Sequence, residues 1–235
     1  MTKEKIKFGE QIVNKFIEVV LTNLIDAERL QVRVKANLKQ LARGELDGLA
    51  IEMYGFLLRQ HLRVAFLRFD IGSSAVNTES IMHRKIELLH PSVGRVQMAL
   101  AQEQLTNALN TQLVSSSQEQ FHFFGLKHIT CQLRADRAMV FHFDWMSAEE
   151  IESGTCTATP QITTDGSRVV LEQRQVEGKE LPTELINAVS KQVSDILSLS
   201  DITNRGTAFH FQQIDIEAGK IIVQAATQIE HFPTN

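Results

Sequence analysis

The segment from Ile6 to Asp26 constrains the fold most, because its apolar residues run almost all the way round a helix. Ile6, Phe8, Ile12, Val13, Phe16, Ile17, Val19, Val20, Leu21, Leu24 and Ile25 recur at helical spacing. Gln11, Asn14, Glu18, Thr22 and Asp26 leave only a narrow polar stripe. An ordinary surface helix buries about a third of its circumference. This one calls for cover on most of its girth, so the expectation is a helix of about five turns cradled by something concave.

After it the period changes from helical to two. Leu30, Val32, Val34 and Ala36 alternate with Gln31, Arg33 and Lys35, the pattern of a half-buried strand. "LDGLAIEMYGF", "LRVAFLRFDI" and "VGRVQMAL" read as further strands. "TESIMHRKIELL" is ambiguous, with a short helix as one reading. "AQEQLTNALNTQLV" predicts a helix with Leu105, Ala108, Leu109 and Val114 on one side. Polar residues over 115–120 mark a soft division within a single domain spanning 1–235. The second half reads as a meander over "FHFFGLKHITCQL", "MVFHFDWM", "TCTATPQIT" and "RVVLEQRQV", with Asp165-Gly166 as a hairpin signal. Pro182 then opens a helix whose stripe is Leu185, Ile186, Val189, Val193, Ile196 and Leu197. A last hairpin turns at "EAGK".

Phe-His-Phe occurs at 121–123, 141–143 and 209–211. Three histidines in equivalent settings raise the question of a metal centre. On strands, however, Phe121, Phe123, Phe141, Phe143, Phe209 and Phe211 fall on one face, and His122, His142 and His210 on the reverse. Three ligands meeting at one ion also need matched register and an oriented second shell. The histidines are therefore read as outward residues of half-buried strands, and no metal or other cofactor is expected. Cys131 and Cys156 form no C-x-x-C and no zinc-spaced cluster. Phosphate-loop, dinucleotide, zinc-protease and nucleophile-elbow signatures are absent from the sequence. Glu149, Glu150 and Glu152 read as a solvated charged loop. No catalytic residue is nominated and an enzyme is not expected.

A net charge of −4 over 235 residues gives no field to gather nucleic acid. The aromatic set is 13 Phe against one Tyr and one Trp, which suits a greasy interior better than a hydrogen-bonding surface. The start reads as no signal peptide, and no stretch reaches the ~18 apolar residues of a membrane span. A cytoplasmic protein is expected, at most peripheral to a membrane. Arg29, Arg33, Lys35, Lys39 and Arg43 have no acid between them. They read either as a solvated outer strand face or as a contact for anionic head groups.

"VRVKANLKQLARGELDGLAIEMYGFLLRQHLRVAFLRFDIGSSAV" resembles the opening of the LmeA-like phospholipid-binding family, an alternating strand, a Leu-x-Arg-Gly step and two more strands. Here the step is Leu41-Ala42-Arg43-Gly44. "QMALAQEQLTNALNTQLV" is similar to the family's next block, and the stretches "TATPQITTDGSRVVLEQRQVEGKELPTELINAV" and "IDIEAGKIIVQAATQIEHFP" resemble the C-terminal part of cyanobacterial versions. The likeness runs from about residue 28 to the end. It implies a non-enzymatic lipid binder with a fold similar to tubular lipid-binding proteins.

The expected fold is α+β: a strongly curved antiparallel sheet wrapping the long N-terminal helix, with two further helices. The expected function is binding, and transfer, of a phospholipid or similar amphiphile in an apolar cavity. Val13, Phe16, Ile17, Val20 and Leu24 from the helix, with Leu62, Val64 and Phe66 from the sheet, would line it. Arg33, Lys35 and Arg43 would meet the head group. The alternative is a structural or partner-binding module with a solid core.

Overall fold

Strand follows strand because apolar residues alternate through most of the sequence after residue 28. The computed structural model describes residues 22, 25–36, 38–41, 43–59, 62–75, 77, 87–114, 125–147, 150–178, 182–203, 207–217 and 219–231. In chain order the first half gives β1 (Arg29–Lys35), α1 (Leu38–Leu41), β2 (Glu45–Leu46), β3 (Gly48–Arg59), β4 (Leu62–Ile71), β5 (Ser74–Ala75) and β6 (Glu87–Ala101). Helix α2 (Gln102–Leu109) follows and runs on into a π-helical turn, Asn110–Val114. Then come β7 (Leu126–Leu133), β8 (Met139–Ser147), β9 (Glu150–Ile162) and β10 (Val169–Gly178). Helices α3 (Thr183–Leu197) and α4 (Ser200–Thr203) lead to the closing hairpin of β11 (Thr207–Glu217) and β12 (Lys220–His231).

These strands build a six-stranded sheet in the order β1-β3-β4-β6-β12-β11, a four-stranded sheet β10-β9-β8-β7, and a ribbon of β2 with β5. All the pairings are antiparallel. Register shows why the alternation fixes the faces. Val32, Ile51, Phe69, Val96, Ala225 and Phe211 stand opposite one another in one row across all six strands. Every member of that row is buried. The neighbouring row, Gln31, Glu52, Arg68, Gln97, Gln224 and Gln213, falls on the reverse face. A slip of one residue would exchange the two rows, so burial of one face specifies the register.

The expected α+β fold is corrected by this architecture. The described chain is mainly β, 64% strand against 20% helix, and no long N-terminal helix wrapped by a sheet is found in it. Most of the predicted helix, including Val13, Phe16, Ile17, Val20 and Leu24, lies outside the described residues. The physical reason for the difference is that the strand faces find other cover. Helix α2 packs on β4 and β7, α3 packs on β10, and β11 packs on β9. Residues from both large sheets thereby join one hydrophobic cluster.

Helix α2 also closes an exposed edge. Strand β7 is the outer strand of its sheet, and unpaired edge groups would otherwise face solvent or another chain. Side chains four residues apart on α2 and the turn after it meet that edge in sequence. Gln102 Oε1 accepts from the Leu133 N–H at 2.9 Å, Thr106 Oγ1 from the Cys131 N–H at 3.0 Å, and Asn110 Oδ1 from the Ile129 N–H at 3.0 Å. At the other edge, Ser198 Oγ accepts from the Val169 N–H at 2.9 Å, just past the end of α3.

Local expectations fare unevenly. The stripe of the second long helix is buried at Leu185, Ile186, Val189, Val193, Ile196 and Leu197. Pro182 takes the N-cap rather than the first turn. Strand β6 extends back to Glu87, so the ambiguous stretch ends as strand, with 78–86 outside the described residues. Glu150 and Glu152 belong to β9 rather than to a loop, because β8 continues to Ser147 and pairs with them. The soft division at 115–120 lies outside the described residues.

Candidate functional site

The two Phe-His-Phe tripeptides within the described residues behave as sheet faces. Phe141 and Phe143 are 1% exposed while His142 is exposed, and Phe211 is 3% exposed while His210 is exposed. His142 belongs to the four-stranded sheet and His210 to the six-stranded one. Residues 121–123 lie outside the described residues. Among the described residues no group of three His, Cys, Asp or Glu side chains is placed to hold a metal ion. Burial pushes the Cys131 thiol up to about 12 and raises Cys156 as well, so neither is a thiolate near neutral pH.

The apolar face of the six-stranded sheet encloses a small cavity lined by Ile25, Ile51, Met53, Phe56, Phe69, Ile202 and Ile229. Its free volume is about 20 Å³, room for roughly one water-sized sphere. Ile51 and Met53 come from β3, Phe69 from β4 and Ile229 from β12, all pointing inward by strand alternation. Ile202 is brought by α4 and Ile25 by the segment before β1. Thr207, directly opposite Ile229, is 1% exposed, and its hydroxyl finds no hydrogen-bond partner among the described residues. A second, open cleft of about 310 Å³ beside the β2–β5 ribbon is lined by Gln40, Glu45, Asp47, Ser74, His90, Ser92 and neighbours. The charged and polar side chains of Glu45, Asp47 and His90 among its mixed walls suit an acyl chain poorly.

The predicted lining residues of β4 sit near this cavity in sequence but not on its wall. Leu62 and Val64 are fully buried in close-packed core. Phe66 is half-buried, its ring 5.2 Å from that of Tyr54, which in turn carries the Arg29 guanidinium 3.9 Å above it. Across Ala65 and Phe66 the buried positions of β4 change from even to odd. On β3 the same change occurs around Gly55, whose φ of +60° is the left-handed conformation that glycine accepts without strain. Arg33 and Lys35 share the outward face of β1, and Arg43 is exposed in the turn after α1. Arg33 Nη2 lies 3.4 Å from Glu52 Oε1, which also meets Arg68 Nη1 at 3.2 Å. Arg68 in turn holds both Asp70 oxygens, at 2.7 and 2.8 Å.

Ile51 and Met53 fall in "LDGLAIEMYGF" and Phe69 in "LRVAFLRFDI", both read as strands. An inward face of Leu62, Val64 and Phe66 puts Phe69 on the other side, however, and only the change of face across Ala65 and Phe66 turns it inward. Ile202 and Ile229 carry no such signal, because only the return of β12 and α4 to the first sheet brings them to β3.

An inward apolar cavity without catalytic groups leaves the class of ligand to be decided by kinship. Residues 6–226 of the 235 match the family model described as LmeA-like phospholipid-binding. The chain belongs to that family. The match begins earlier than the resemblance from residue 28 and stops short of the C-terminus. No curated protein and no solved structure matches the chain. Membership of the LmeA-like family supports lipid binding. Among the described residues no helix is long and apolar enough to cross a membrane.

Proposed function

We propose that the protein binds a phospholipid or similar amphiphile non-enzymatically, with an acyl chain entering at the cavity of Ile25, Ile51, Met53, Phe56, Phe69, Ile202 and Ile229. The observation that carries this reading is a cavity lined by seven apolar residues in a member of a phospholipid-binding family. At about 0.8 kcal/mol for each buried CH₂, a sixteen-carbon chain would contribute roughly 10 kcal/mol before ordering costs. The closed cavity of about 20 Å³ is far too small for such a chain. Uptake therefore requires α4 and the segment at Ile25 to draw back, since the remaining walls are hydrogen-bonded sheet. The unpartnered Thr207 hydroxyl beside Ile229 would gain an acceptor from an acyl ester. Arg33, Lys35 and Arg43, all exposed, would attract the anionic surface from which lipid is drawn, each contributing ~1 kcal/mol near it. Transfer between membranes, and a peripheral location, belong to the same proposal.

A second reading is favoured by the same small volume: a solid-cored module that binds a protein partner and no lipid. Native mass spectrometry of protein purified without detergent, then incubated with dioleoyl phospholipid vesicles, separates the two. A mass increase of one lipid, abolished by Ile202→Trp, is the expected result. A persistently bare mass in the wild type would leave only the second reading.

A further inference from the structure

The polar cleft beside the β2–β5 ribbon adjoins the apolar cavity across one pair of residues. Ser92 of β6, on the wall of the cleft, stands directly opposite Ile229 of β12, on the wall of the cavity. Residues opposed in this way share a sheet face, with Cβ atoms about 5 Å apart. Burial agrees, Ser92 being 2% exposed and Ile229 1%. Thr207 of β11 completes the row on the far side of Ile229. A polar wall and an apolar wall therefore meet at Ile229, with a buried hydroxyl on either side of it.

Hydroxyls along this boundary lack partners. Neither Thr207 Oγ1 nor Ser74 Oγ, which belongs to a cleft-lining residue, finds a hydrogen-bond partner among the described residues. Ser92 likewise makes no side-chain hydrogen bond among them. Buried donors without acceptors are unfavourable. The phosphate and ester oxygens of a glycerophospholipid are acceptors, and they lie between its head and its chains.

The outer wall of the cleft has the opposite character. Glu45 of β2 and Asp47 are exposed acids there, and no lysine or arginine stands among the lining residues. Gln40 of α1 donates to Asp47 Oδ1 at 2.8 Å, and the Asp47 N–H donates to the Lys35 carbonyl at 2.8 Å, so this carboxylate is held in place. Two carboxylates at one mouth favour a cation over a phosphate standing alone. The volume of about 310 Å³ lies at the lower end of the range for ligand sites.

Resting on the lipid-binding reading, we infer that this cleft receives the head group of an amine-bearing phospholipid. Its ammonium meets Glu45 and Asp47, its phosphate and ester oxygens meet the hydroxyls of Ser92 and Thr207, and its chain continues past Ile229 into the apolar cavity. The cleft and the cavity are then the two halves of one amphiphile site, divided at the row that holds Ser92, Ile229 and Thr207.

Native mass spectrometry with mixed vesicles of dioleoyl phosphatidylethanolamine and dioleoyl phosphatidylglycerol tests this. The wild type is expected to take up phosphatidylethanolamine roughly ten-fold over phosphatidylglycerol, as one charge-assisted contact would give. Glu45→Gln with Asp47→Asn should bring the two lipids to parity while uptake persists, since both side chains are exposed. Ser92→Ala should lower uptake of both roughly five-fold with an unchanged melting temperature, because an unpartnered hydroxyl adds nothing to the fold. Equal uptake or an excess of phosphatidylglycerol in the wild type, a preference that survives the double variant, or full uptake by Ser92→Ala overturns the site while leaving lipid binding intact. No uptake of either lipid overturns the lipid reading itself, and the site with it.

Discussion

Asn110 and Ile129 exchange two hydrogen bonds: the Asn110 amide donates to the Ile129 carbonyl at 2.6 Å and accepts from the Ile129 N–H at 3.0 Å. A side-chain amide here stands in for the backbone of an absent neighbouring strand. Asn110→Ala leaves both main-chain groups of an edge strand without that partner. We expect a loss of about 1–3 kcal/mol in denaturant unfolding. A loss below a few tenths would show that water replaces the amide without penalty.

The turn between β9 and β10 is tied to the other sheet, because the Phe211 N–H donates to the Gly166 carbonyl at 2.7 Å. Gly166 has a φ of +69°, and a Cβ added there would run into the His210 ring. Gly166→Ala should therefore destabilise by about 1–3 kcal/mol through backbone strain and displacement of His210. His210→Ala in the same background should recover part of that loss, measured by thermal melting of the single and double variants.

Opposite faces of one strand should give opposite outcomes. Phe141→Ala removes a ring that is 1% exposed and is expected to cost about 3–5 kcal/mol. His142→Ala, one residue on and exposed, should stay within about 0.5 kcal/mol and leave lipid uptake intact. Equal losses at the two positions in urea titrations would contradict the assignment of faces.

Acid should weaken the β9–β10 turn. The Thr163 hydroxyl and then the Ser167 N–H and hydroxyl hold the Asp165 carboxylate, lowering its pKa to about 2. The unfolded value is near 4, so the folded state binds this proton less readily. Its contribution is present above about pH 4 and is lost as pH falls from there toward 2. Asp165→Asn should flatten melting temperature against pH in that window, and an unchanged slope would contradict the role of these hydrogen bonds.

Alkali acts through Cys131 with the opposite sign. Burial raises its thiol to about 12, whereas the unfolded thiol ionises near 8.5. Stability from this group is complete below about pH 8.5 and falls as pH rises from there toward 12, because only the unfolded chain releases the proton. Ellman's reagent at pH 8 should accordingly find Cys131 silent until denaturant is added. Rapid labelling of the native protein would contradict its burial.

Much of the β-structure was legible because strand alternation is a local signal. "LRVAFLRFDI" is β4 from end to end, and "RVVLEQRQV" falls within two residues of β10. The faces of Phe141 and His142 follow from period two alone. Less legible was what covers those faces. The girth of apolar residues over 6–26 pointed to a helix sheathed by a sheet, yet the cover of the described sheets includes α2, α3 and one another. Glu150 and Glu152 looked like a solvated loop because acidic residues are poor strand formers. Pairing with β8 overrides that preference.

The sequence by itself determined where strands alternate, with Phe141 and His142 on opposite faces, where the Asp165-Gly166 hairpin bends, and that the chain resembles a phospholipid-binding family. Tertiary structure alone decided which distant segments meet: β12 returning beside β6, Ile202 and Ile229 closing on Ile51, and Arg59 facing Asp201 across 142 positions. Periodicity is set by the backbone geometry of a few neighbouring residues, so it can be read locally. Contacts between remote segments depend on how whole apolar faces are shared among competing partners, and no local pattern records that choice.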